Sequence, residues 1–344
     1  MKFNQSIIKI LLIMIILYPR VAIAIVYIDH CPNDDTYIFE DTIFAPNLFC
    51  NVEDSLNRLP YKGKQTGVII IMKDNVILDC NFMTLNGTGT NGTFEDKFRF
   101  GIFTDGFNNI TIKNCIVQNY GDGILLIHTQ NSRVFNNIVR FNENGIVIDN
   151  TIPSYYEKHQ RTFPLKSSYG GNMIYNNTAI SNGHSYLLLF SDNNQIFNNY
   201  AYNNSFGLEL EHSSYNKIYN NFIQNDRGIF IQDYSDENEI FNNSLINIPT
   251  VDGAIKISNS SKNYIHNNFI HYLKEGIIDS GKDNNIRDNV MIMKNEENTQ
   301  FSNSPSSKEK KISSSFTIFF CILIFCALVS NYLKKNYSHR QCQL

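Results

Sequence analysis

The run Leu208-Glu209-Leu210-Glu211-His212 places two carboxylates and an imidazole within four residues. On an extended strand, residues two apart face the same side about 7 Å from one another. Glu209 and Glu211 would then form a pair on one face, with His212 at the strand end. A carboxylate pair of that separation can serve as general acid and base in glycoside cleavage. A histidine beside carboxylates can instead abstract a sugar proton. Glu209, Glu211 and His212 are therefore the catalytic candidates, against the plain alternative of a solvated strand face. Tyr155, Tyr156, His159 and Arg161 combine aromatic faces with hydrogen-bond donors and could form a sugar platform. In the competing reading Ile152, Tyr155, Tyr156, Phe163 and Tyr169 pack over an apolar surface. Asp149 and Asp233 complete the binding candidates. The sequence has no CxxC pair and no Cys/His zinc spacing, so no metal and no cofactor is assigned.

The elements that must hold these residues come from a repeat. Gly101, Gly123 and Gly145 are spaced by 22 and open the runs GIFT, GILL and GIVI. Ser185, Gly207, Gly228, Gly253 and Gly276 continue the series at steps of 22, 21, 25 and 23. An apolar-x-Asn-Asn box accompanies it, closing at Asn137, Asn177, Asn199, Asn221, Asn243, Asn268 and Asn289. The 40-residue gap between Asn137 and Asn177 is one coil plus an insertion of 18. About 22 residues hold three short strands and their turns, too few to bury a core until coils stack. The fold expected is all-β, a right-handed single-stranded parallel β-helix of about 9–10 coils. Ile112, Val134, Ile174, Ile196, Ile218, Ile240 and Ile265 would line its interior. One Asn of each box would take a left-handed turn, and the box would bond its equivalents above and below.

Equivalent positions then fall into columns. Second after the repeat glycine come Phe103, Leu125, Val147, Leu187, Glu209 and Phe230, an outward apolar stripe that needs a cover. The inserted residues are the natural one. Asp149 should lie two coils below Glu211, and His212 and Asp233 at the adjoining turns. His128 shares the column of His212 from several coils away, and His184 is assigned to a turn.

The domain plan is a signal peptide at 1–24, an N-terminal cap at 25–65 and the β-helix at 66–298, with the insertion at 151–170. A polar stalk at 299–315, a transmembrane helix at 316–333 and a cytoplasmic tail at 334–344 follow. Lys334, Lys335 and Arg340 and the leader orient the tail inside, giving a single-pass protein of the cell membrane. A net charge of −3 and a pI near 6.2 argue against a nucleic-acid partner. Export allows disulfides. Cys31, Cys50, Cys80 and Cys115 precede the apolar span, and four cysteines allow three pairings. Between the leader and the apolar span lie seven Asn-x-Ser/Thr sequons, at Asn86, Asn91, Asn109, Asn176, Asn203, Asn242 and Asn259, which suit a surface glycoprotein.

NVILDCNFMTLNG followed by GIFTDGFNNITIKNCIVQNYGDGI resembles the NosD-like proteins and the wider carbohydrate-binding and sugar-hydrolase β-helix family, over roughly residues 31 to 290. By that resemblance Cys31 pairs with Cys50 and Cys80 with Cys115. The NosD name is linked to copper-site maturation, but no Met/His cluster accompanies it here. The polygalacturonase signatures NTD, GHG and RIK and the epimerase DPH are missing. VYIDH at Val26–His30 looks like a pectate-lyase motif, yet stands ahead of the coils. The reading is a carbohydrate-binding or surface-interaction module with a glycan or cell-surface partner. The alternative is a polysaccharide lyase, epimerase or hydrolase.

Overall fold

A computed structural model describes residues 25–32, 36–52, 66–87, 99–151 and 170–294. The leader, most of the insertion with Tyr155, Tyr156, His159 and Arg161, the Asn91 sequon and all residues from 295 onward lie outside them. Among the described residues no helix is long and apolar enough to cross a membrane.

The described chain winds through three parallel sheets. Each turn of the solenoid gives one strand to sheet B, then one to sheet A, then one to sheet C. Sheet A runs from Ile25–Ile28 to Asn285–Arg287, sheet B from Thr36–Ile38 to Ile277–Lys282, and sheet C from Phe49–Asn51 to Val290–Met293. The expected cap is thus partly solenoid already. Thr36–Ile38, Asp41–Phe44 and Phe49–Asn51 contribute one strand to each sheet, in parallel register with the coil above.

Alternation explains why the strands hold. Ile112, Val134, Ile174, Ile196, Ile218, Ile240 and Ile265 pair directly across successive coils of sheet A and are at most 1% exposed. A slip of one residue would turn every one of them to water. The Asn boxes fix the turn from sheet A to sheet C. Asn136, Asn176, Asn198, Asn220, Asn242 and Asn267 sit at φ between 55° and 57°, which Asn tolerates better than most residues. In every box below the last the second Asn is buried, and its amide nitrogen donates to the Oδ1 of the next coil. Asn137 to Asn177, Asn177 to Asn199, Asn199 to Asn221 and Asn221 to Asn243 span 3.0, 3.1, 3.0 and 3.0 Å.

The repeat glycine has a steric cause. A Cβ at Gly123 would fall 2.7 Å from the carbonyl oxygen of Gly145 and 2.9 Å from the Asn142 amide nitrogen. Where Ser185 replaces glycine, its hydroxyl donates to the Phe206 carbonyl at 3.0 Å, so the approach becomes a bond. Both disulfides form, Cys31 with Cys50 and Cys80 with Cys115, at Cα separations of 5.3 and 4.8 Å.

Candidate functional site

The outer face of sheet B gathers the sequence candidates in three columns. The central one is Ile70, Phe103, Leu125, Val147, Leu187, Glu209, Phe230 and Lys256, in unbroken register. Its apolar part forms a second cluster outside the solenoid core, with Phe103, Leu125 and Val147 at 3%, 4% and 3% exposure. The stripe is covered. Phe100 and Leu187 pack beside it, and the inserted residues 152–169 lie outside the described ones.

The column at the start of these strands holds Phe100, Asp122, Asn144, His184, Phe206 and Arg227. Here a polar chain climbs the coils. The Asn144 amide donates to Asp122 at 2.7 Å, and its oxygen lies 2.8 Å from His184 Nδ1. With the Asn144 nitrogen given to a carboxylate, its oxygen can only accept, so Nδ1 of His184 carries the proton. On the other side of the ring, Nε2 lies 2.9 Å from Glu209 Oε2. Gln232 donates to the remaining oxygen of Glu209. His184 is a strand residue of His184–Leu189, where the sequence suggested a turn. Burial pushes the Asp122 carboxyl up to about 7, opposed by the Asn144 hydrogen bond and reinforced by the Asp149 and Glu143 charges. Asp122, Asn144, His184 and Gln232 were not among the sequence candidates. The residue before each repeat glycine would have revealed three of them, had that position been followed coil by coil.

This chain separates the two glutamates. Glu209 is buried at 8% exposure and engaged on both oxygens, so it serves the His184 pairing. Glu211 keeps 38% of its side chain open. It belongs to the column at the strand ends, with Asp105, Ile127, Asp149, Leu189 and Gln232. Asp149 is two coils below Glu211, and burial raises its carboxyl despite hydrogen bonds from Thr151. His212 follows at the turn with φ 50°. Its ring lies flat against Phe190, centroids 4.4 Å apart, and tilted against Tyr234 at 5.8 Å. Its Nδ1 stands 3.8 Å from Glu211, too far for a hydrogen bond, and is buried without one. Asp233 sits one turn further, accepting from Asn259 at 3.3 Å. His128, with Asp105 at 3.1 Å, is far below His212 in the same turn column.

A second aromatic feature is a ladder on sheet A, Phe135, Tyr175, Phe197, Tyr219 and Phe241, with centroids 4.9 to 5.0 Å apart and planes within 12°. Sugars stack on ring faces, and here the faces cover one another, so the ladder is a wall. Of the described sequons, Asn109, Asn176, Asn203, Asn242 and Asn259 are exposed at left-handed turns. Asn86 is half-buried and bonded to Asn51, Gln118 and Asn119.

Stacked coils, internal asparagine ladders and a side face carrying the polar groups define a parallel β-helix solenoid. The sequence matches the family described as Periplasmic copper-binding protein (NosD) over residues 53–158 and 154–253, more than half its length, and belongs to that family. No curated protein sequence matches it. Similar solved structures include DFA-IIIase from Arthrobacter chlorophenolicus A6 in complex with GF2 (TM-score 0.54, 9% identity, 78% of this chain and 76% of that one). The same enzyme without its lid gives a TM-score of 0.55 at 10% identity, over 81% and 80% of the chains. Tailspike protein 2 from Escherichia coli O157:H7 bacteriophage CAB120 gives 0.50 at 12%, over 78% of this chain and 38% of that one. These likenesses are of fold.

The family description invites a test for copper. Copper favours thiolate, thioether and imidazole ligands. Among the described residues no group of three or more His, Cys, Asp or Glu is placed to hold a metal. Cys31, Cys50, Cys80 and Cys115 are closed in disulfides, His184 bridges Asn144 and Glu209, and His266 sits 3.3 Å from Glu239. The described residues do not fit a copper site.

Proposed function

We propose that this protein is a membrane-anchored, extracellular β-helix glycoprotein that binds a glycan along the open edge of sheet B. The observation that carries the reading is the meeting of Glu211 with exposed rings at one edge. Phe190 is 47% exposed and Tyr234 71%, on either side of His212, and the Glu211 carboxylate is open beside them. A pyranose offers apolar C–H faces to rings and hydroxyls to carboxylates, and this edge supplies both. Asp149, Leu189 and Asp233 extend it along the axis. The insertion with Tyr155, Tyr156, His159 and Arg161 begins in the sequence shortly after Asp149. Disulfides and the periplasmic description of the family support the placement outside the cytoplasm.

One observation favours a second reading, glycoside hydrolysis. Asp149, its carboxyl raised by burial, and the open Glu211 stand in one column two coils apart, near 10 Å by strand spacing. Side-chain reach brings that into the range of inverting pairs, about 6.5–9.5 Å. Asp149 would give the proton and Glu211 activate the water. A glycan array on the full-length protein, scored for retention and for new reducing ends, separates the readings. Glu211→Gln should weaken retention several-fold in a binding protein and abolish product in a hydrolase. An array with neither binding nor product, or a Glu211→Gln protein identical to the parent, overturns the site.

A further inference from the structure

The last described coil differs from every coil beneath it. Ile286 and Met291 continue interior columns whose preceding members, Ile265 and Ile270, are 0% exposed, yet they are 37% and 51% exposed themselves. Val290, Ile292 and Met293 add 55%, 45% and 54%. At the opposite end the interior is covered, Ile38, Phe44 and Cys50 being 3%, 0% and 0% exposed, although the edge strand Ile25–Ile28 leaves Ile25, Val26 and Tyr27 open. Among the described residues the open end also carries three strand edges without a partner, Ile277–Lys282, Asn285–Arg287 and Val290–Met293, each the last strand of its sheet. The amides of Asn285, Val290 and Lys294 point down, donating to Asn263, Asn268 and Tyr272 at 2.8 Å. In a strand the intervening residues face the other way, so Ile286, Met291 and Met293 present their N–H groups to the open side.

We propose that this end docks a second copy of the chain, two solenoids meeting end to end about a two-fold axis. An occupant must supply three strand edges around an apolar centre. A single helix or strand answers one edge, whereas an identical solenoid end answers all three at once. The axis sets sheet B against sheet B and sheet A against sheet C, each pair antiparallel. The charge pattern permits this pairing. Residues 273–294 carry Lys274, Lys282, Arg287 and Lys294 against Glu275, Asp279, Asp283 and Asp288, a rim of both signs with no net charge to repel a second copy. Open apolar strand edges left in water are otherwise an aggregation hazard. The polar run that follows, 295–315, is too hydrophilic to fill the apolar centre.

The test is the mass of the full-length protein in detergent, by sedimentation at several protein concentrations. The parent should sediment as two chains. Met293→Pro removes one upward donor without touching a downward bond, and Val290→Lys, on sheet C, sets a cation against the Arg287 strand of the partner copy's sheet A. Each should weaken the dimer roughly ten-fold or more, with the far-UV circular dichroism and melting curve of the parent. A single-chain parent at micromolar concentration overturns the proposal. So does a two-chain mass that both variants leave unmoved, which would place the contact elsewhere, the apolar span 316–333 included. A single-chain parent that pairs only after deletion of 316–333 also overturns it, because the chain's own segment would then occupy the end.

Discussion

At the scale of single residues, asparagine does two separate jobs in one dipeptide. The first Asn of each box supplies the positive φ and the second a buried amide that both donates and accepts. Asn199→Ala removes donation to the Ile174 carbonyl and to Asn221, and strands the Asn177 backbone and side-chain N–H groups that it accepts from. We expect a loss of about 1–3 kcal/mol by urea unfolding, whereas Asn198→Gly, at φ 55°, should cost only a few tenths. The box was legible because it recurs at coil spacing. The His184–Glu209 pair was not, because strand periodicity gives both glutamates the same face and says nothing of which one a neighbouring coil will engage. Asp122 carries a pH signature. Its carboxyl titrates near 7 in the folded protein and near 3.8 in the unfolded chain. Between those values the folded state holds the extra proton, so stability is greatest below the lower one and declines as pH rises towards 7. Asp122→Asn should remove most of that slope when melting is followed from pH 4 to pH 8. The partners facing Asp122 through Asn144, namely His184 and Glu209, remain in place. An unchanged slope would show that Asp149 and Asp192, both also raised by burial, carry it instead.

At the scale of elements, the central column of sheet B shows how one pattern serves two ends. The same outward position is Leu125 and Val147 in the lower coils and Glu209 above them. The sequence made the stripe visible as apolar residues where a strand should face water. Their 3–4% exposure shows that the stripe is covered. The 18 extra residues are the cover expected from the sequence; they lie outside the described residues and share no period with the coils. Deleting residues 152–169 should leave Phe103, Leu125 and Val147 open, at about 25 cal/mol per Å² of apolar surface. The expected outcome is aggregation and a lowered melting temperature, measured by light scattering during a thermal ramp. A deletion protein as soluble and stable as the parent would assign the cover to another segment. The disulfide between Cys80 and Cys115 links adjacent coils across a sequence separation of 35. Replacing both cysteines with serine should cost about 2–4 kcal/mol.

At the scale of the whole molecule, stability is a chain of nearest-neighbour terms, because each coil touches only the coils above and below it. A central coil is held on two sides and an end coil on one. The Asn ladder makes this concrete. Asn199 and Asn221 are bonded in both directions, while Asn289 accepts from Asn268 and is the last member of the ladder. Ile218 and Ile240 are fully buried, whereas Ile286 at the open end is not. Amide exchange should therefore be slowest across residues 174–243 and quickest across 277–294, with the last coil opening independently of the rest. The end-to-end pairing adds a further condition. If a second copy completes the last coil, protection of 277–294 must rise with protein concentration while protection of 174–243 stays constant. Hydrogen exchange read by mass spectrometry at two concentrations ten-fold apart distinguishes the cases. Equal exchange of the last coil at both concentrations would mean that it frays as a free end, and uniform protection along the solenoid would mean that the coils unfold as one cooperative unit.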